Sequence, residues 1–147
     1  MAKPLPHNIE AEKIVLGAMM TNSSALAQCI NTVTVDHFYG QSAPNQLVYQ
    51  AIRNLFDKRL PVDIQTVLEE LGLMKESVNA GGIEYLKELL ESVISLSNLD
   101  FYLVILQDNK LLRDYLSMID KIRQNYETDK SSLTTAKKLG VKLERLK

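Results

Sequence analysis

From Asn98 to Tyr126 the chain contains neither proline nor glycine, and Phe101, Ile105, Leu112, Tyr115, Ile119, Ile122 and Tyr126 lie close to one stripe at helical spacing. Such a run commits the chain to a long helix, on the order of 40 Å at 1.5 Å per residue. A compact domain of this size has a radius of gyration of only about 15 Å, so the helix is expected to protrude from a globular head. After the polar stretch Thr128-Asp129-Lys130, a second amphipathic segment places Leu133, Ala136, Leu139, Val141, Leu143 and Leu146 at helical intervals. The pattern predicts an all-α fold: a small helical-bundle head over residues 1–97, then a helical hairpin over 98–147. A hairpin extending from a small head cannot bury both of its apolar faces alone. Its simplest partner is a second copy.

The head reads as a series of shorter helices, with strand-like alternation almost absent. Pro4-Leu5-Pro6-His7-Asn8 is extended, because a residue preceding proline avoids the helical region. Asn8 can cap a first helix whose apolar face holds Ile9, Val15, Leu16, Met19 and Met20, with Glu10 and Glu12 in the first turn, where the dipole favours anions. Gly17 costs this helix about 1 kcal/mol relative to alanine, which close approach of a neighbouring helix would justify. Asn22-Ser23-Ser24 ends the segment and caps a second helix through Leu26, Ile30 and Val33, and a turn follows at Asp36–Gly40. The third helix starts near Pro44, with Leu47, Val48, Ala51, Ile52, Leu55 and Phe56 on its buried face. Pro61 stops it, and Asp63 caps a fourth with Ile64, Val67, Leu68 and Leu71. Gly81-Gly82 separates that helix from a fifth carrying Ile83, Leu86, Leu89 and Leu90.

Composition excludes several classes of function. Seventeen Lys and Arg face 18 Asp and Glu, a net charge of −1, whereas a domain built to grip phosphates carries a positive excess. The single cysteine, Cys29, rules out an internal disulfide and is read as a core residue in a reducing, cytoplasmic setting. No apolar run approaches the length needed to span a bilayer, and the N-terminus lacks a signal-peptide pattern.

Catalytic chemistry is absent from the pattern. Neither a phosphate loop nor a Gly-x-Gly-x-x-Gly turn occurs, and His7, His37 and Cys29 have no metal-ligand spacing. Glu10 and Glu12, two apart on a helix, point in different directions and cannot converge on one ion; they are read as complementing the helix dipole. His7 reads as part of the N-terminal cap, and Gly81-Gly82 as a hinge rather than a ligand-binding turn. No catalytic residue, cofactor site or metal site is expected in this chain.

Taken in order, the residues resemble the N-terminal domain of DnaB-type replicative helicases. The family's opening helix appears as Pro6-His7-Asn8-Ile9-Glu10-Ala11-Glu12 through Leu16-Gly17, and its Phe-Tyr turn as Phe38-Tyr39. The next helix matches at Tyr49, Ala51, Ile52 and Leu55. Pro61-Val62-Asp63 with Thr66, and Gly81-Gly82-Ile83-Glu84-Tyr85-Leu86, follow in register. The long helix matches through Asn98, Tyr102, Ile105, Leu111, Leu112 and Arg113, so the resemblance covers residues 6 to about 116. Each element is weak alone, but together and in order they are specific. Three departures stand out. Asn45 replaces a histidine often found at the start of the third helix. Arg59-Leu60 occupies the place of a glycine before Pro-Val-Asp. The segment from 129 onward matches poorly.

The resemblance implies a non-catalytic collar domain whose hairpins pair and assemble as a trimer of dimers on a hexamer, and which recruits the C-terminal domain of primase and, in some systems, a helicase loader. It marks Leu112, Tyr115, Ile119 and Leu133 as candidates for the dimer interface, and Tyr85, Leu116 and Ile122 as candidates for primase contact; packing within the domain is the alternative for each. It also implies that ATP and Mg belong to a RecA-like ATPase domain, the part that makes the parent an ATP-dependent 5'-3' DNA helicase, into which the family continues where this chain stops. The chain is then a helicase fragment or a stand-alone relative that regulates helicase loading. DNA binding is a rival, carried by Leu133–Val141 as a helix-turn-helix-like stretch and by Lys137, Lys138, Lys142, Arg145 and Lys147. The short remainder after Val141 leaves little room for a recognition helix, so binding of DNA by this domain is expected to be weak or absent.

Overall fold

A computed structural model describes residues 4–40 and 43–138, with side chains described as far as Lys130. Among these residues the fold is all-helical: α1 (Ile9–Thr21), α2 (Ser23–Thr32), a 3-10 turn (Val35–His37), α3 (Ala43–Asp57), α4 (Ile64–Leu73), α5 (Gly82–Glu91) and α6 (Leu99–Lys138). The chain divides into two compact units, Met1–Leu111 and Leu112–Lys147.

In the first unit α1 is the central element, packed against α2, α3 and α5. Its ends are set by two asparagines. Asn8 is extended, and its side-chain oxygen accepts from Ala11 N–H at 3.0 Å. Asn22 serves twice: its backbone N–H donates to Ala18 O and closes α1, while its side chain accepts from Ala25 N–H at 2.9 Å and opens α2. Ala11, Val15, Leu16, Ala18 and Met19 are fully or almost fully buried. They meet Cys29 of α2, Val48 and Ile52 of α3, Val67 and Leu71 of α4, and Leu86 and Leu89 of α5 in one core. Each fully buried Leu or Ile contributes roughly 1.5–3 kcal/mol. Burial also pushes the Cys29 thiol up to about 12, which holds it in its neutral form.

Gly17 marks where α1 and α5 touch. A Cβ built there would lie 2.2 Å from Leu89 O and 2.7 Å from Val93 Cγ2, so the close approach expected from the sequence is a contact with α5 backbone. Lys13 and Glu88 add an ion pair across the same two helices at 2.8 Å.

The end of α3 carries a six-to-one bond, Leu60 N–H to Leu55 O at 2.9 Å, and a five-to-two bond, Arg59 N–H to Phe56 O at 3.0 Å. This closing geometry requires a left-handed residue, normally glycine. Here it is Arg59, at φ 60°, in the place where the resemblance leads one to expect glycine. A non-glycine residue in that region costs about 1 kcal/mol, so Arg59→Gly is expected to stabilise the fold by up to about that amount. Urea denaturation checks it, and a lower midpoint would mean that the arginine side chain contributes more than its backbone costs. Phe56 was expected in the core but sits at its rim, 37% exposed, one position beyond the buried Val48–Ile52–Leu55 line.

Asp63 caps α4 as expected, accepting from Thr66 N–H at 2.9 Å, while Thr66 Oγ1 accepts from Asp63 N–H at 2.9 Å. Gly81 and Gly82, at φ 90° and 64°, make the tight entry into α5, with Gly82 N–H donating to Ser77 O at 2.8 Å. A side chain on Gly81 would also collide with Tyr85 Cβ at 2.6 Å.

The boundary expected near residue 97 falls just ahead of α6, but the first turns of that helix belong to the core: Leu99, Leu103 and Leu106 are all buried. The expected break at Thr128-Asp129-Lys130 is absent. These three residues continue α6, which runs unbroken to Lys138, so the helical hairpin is not formed among the described residues. The reason is energetic. Thr, Asp and Lys each cost a helix only a few tenths of a kcal/mol, and Thr128 Oγ1 donates back to Gln124 O at 3.0 Å. Without proline or glycine there is nothing to stop the ladder. The basic tail from 139 to 147 lies outside the described residues.

Candidate protein-interaction surface

The described part of the second unit is the remainder of α6, and it is amphipathic. Leu112, Tyr115, Ile119, Ile122 and Tyr126 follow one another at three- and four-residue steps, with Leu116 and Met118 flanking them. All seven are between 40% and 61% exposed. Arg113, Asp114, Ser117, Asp120, Lys121 and Gln124 occupy the other side by helical register. From Leu112 to Tyr126, Arg123 alone among the charged residues falls on the apolar side by the same register, and a solvated helix has no use for seven large apolar side chains gathered there. Exposed apolar surface of this kind marks an interaction site.

Leu112, Tyr115 and Ile119, the described members of the dimer set, share this stripe. The Leu133 side chain lies outside the described residues. Of the primase set, Ile122 belongs to the same stripe and Leu116 flanks it, so these five candidates form one continuous surface rather than two.

Tyr85 differs from them. It belongs to α5 in the first unit, half-buried, with its hydroxyl donating to Asn45 Oδ1. Burial, reinforced by the charges of Glu88 and Glu12, pushes its phenol up to about 12. A tyrosine on an exposed hairpin surface would have neither the partner nor the desolvation.

That hydroxyl ends a chain of polar groups that sequence reasoning missed. Glu12, read from the sequence only as a dipole-complementing acid, is fully buried. Its Oε2 accepts from Tyr39 N–H at 3.0 Å and its Oε1 from Asn45 Nδ2 at 2.9 Å. Tyr39 in turn anchors the N-terminal segment: its hydroxyl accepts from Leu5 N–H at 3.3 Å, and the His7 ring stacks on it with centroids 4.1 Å apart. The signal was present, since Glu12 lies three and four residues before Val15 and Leu16, on the buried face of α1. The network ties α1 to α3, to α5 and to the turn before α3. Glu12, Asn45 and Tyr39 within it are all buried.

Comparison with known proteins places this arrangement. The family model described as the DnaB-like helicase N-terminal domain matches residues 4–108. The probable replicative DNA helicase of Trieres chinensis is 35% identical over 131 residues, which are 86% of this chain and 28% of the relative. The Bacillus subtilis replicative DNA helicase DnaC is 36% identical over 120 residues, 82% of this chain and 26% of the relative. The chain thus spans about a quarter of the length of these curated relatives. Among solved structures, the N-terminal domain of DnaB helicase from Mycobacterium tuberculosis superposes with a TM-score of 0.76 at 30% identity, covering 83% of each chain. A structure of a DnaB-like replicative helicase and its interactions with primase shares the fold, with a TM-score of 0.73 at 22% identity over 92% of this chain and 32% of the other. The head built on α1, the long α6 and the matched residues have one common explanation: the chain belongs to the DnaB-like helicase N-terminal domain family.

Proposed function

We propose that this domain is the non-catalytic assembly module of a replicative helicase, pairing with other copies of itself and docking primase during DNA replication. The observation that carries the proposal is the exposed apolar stripe of α6 from Leu112 to Tyr126. Covering it with a partner gains roughly 25 cal/mol for each Å² of apolar area removed from water, less the cost of association. In this reading Leu112, Tyr115, Ile119 and Leu133 meet a second copy, and pairs of domains assemble as a trimer of dimers. Leu116 and Ile122 meet primase, and a helicase loader is a further partner. Tyr85 of α5 is the third candidate for primase contact. The domain itself needs no cofactor, and ATP and Mg serve the ATPase domain of the helicase.

Sedimentation of the domain, alone and mixed with the C-terminal domain of primase, tests both halves. Self-association and a heavier mixed species are expected. A strict monomer that ignores primase would defeat the proposal and favour a stand-alone regulator of helicase loading, while salt-sensitive binding to DNA would favour the rival DNA-binding role. Ile119→Asp is expected to weaken self-association at least tenfold, about 1.4 kcal/mol, because it places an unpaired charge in the apolar seam. Circular dichroism confirms that the variant remains helical, and an unchanged dissociation constant would remove Ile119 from the interface.

A further inference from the structure

We draw no further inference here: the strongest candidate, the exposed apolar stripe of α6 between Leu112 and Tyr126, belongs to the surface already described, and nothing among the described residues shows what else would cover it.

Discussion

Gly17→Ala is expected to lower the thermal midpoint of the protein by several degrees, although alanine is the better helix former by about 1 kcal/mol. The added methyl would fall 2.2 Å from the Leu89 carbonyl oxygen and 3.0 Å from its carbon. These are backbone atoms of the last turn of α5, so they cannot rotate aside as a side chain can. The helices must separate, and overpacking of this kind costs about 1–3 kcal/mol. Separation would also loosen Leu16, Leu86 and Leu89, all buried in the shared core. A net loss of roughly 2 kcal/mol is expected, read as the shift in calorimetric midpoint. A midpoint that stays level or rises would show that the α1–α5 contact yields without cost, leaving glycine at this position unexplained by packing.

Glu12→Ala is expected to be the more damaging change. It leaves the Tyr39 N–H and the Asn45 amide without the carboxylate oxygens they donate to. Each buried group left unsatisfied costs about 1–3 kcal/mol, so the loss should reach roughly 3 kcal/mol or more before the lost packing is added. Glu12→Gln separates acceptor geometry from size. Two donors converge on two carboxylate oxygens, and an amide supplies only one oxygen, so glutamine should recover the volume but only part of the stability. Denaturant titration of the two variants gives the comparison. Losses within about 0.5 kcal/mol for both, the range of ordinary surface substitutions, would reduce the network to a bystander.

Most of the head was legible in the sequence because its signals are local. Asn8, Asn22 and Asp63 each stand one residue before a helix and cap it through their own side chains. Gly17 on an apolar face announced a close neighbour, and α5 supplies it. What failed needed information that periodicity lacks. Glu12 was assigned by its place in the first turn, where charge suits the dipole, but its burial depends on donors from residues 27 and 33 positions away. The bond of the Tyr85 hydroxyl to Asn45, 40 positions away in sequence, likewise leaves no mark on spacing. Thr128-Asp129-Lys130 looked like a break because it interrupts the apolar pattern. Polarity alone does not end a helix, and α6 continues through it. The exposed stripe could be foreseen from spacing, but which copy or partner covers it is a property of two surfaces, and a single sequence holds only one.

The unbroken course of α6 has a thermodynamic consequence. Its first turns are stabilised by the side chains they bury, Leu99, Leu103 and Leu106, whereas the large apolar side chains from Leu112 to Tyr126 stand exposed and contribute less to the turns that carry them. Helices sustained by local terms alone are marginal in water. Any molecule that covers the stripe therefore does two things in one equilibrium: it occupies the surface and shifts the helix–coil balance of the turns that present it. Association and helix formation become linked, so the apparent affinity includes the free energy of holding those turns in place.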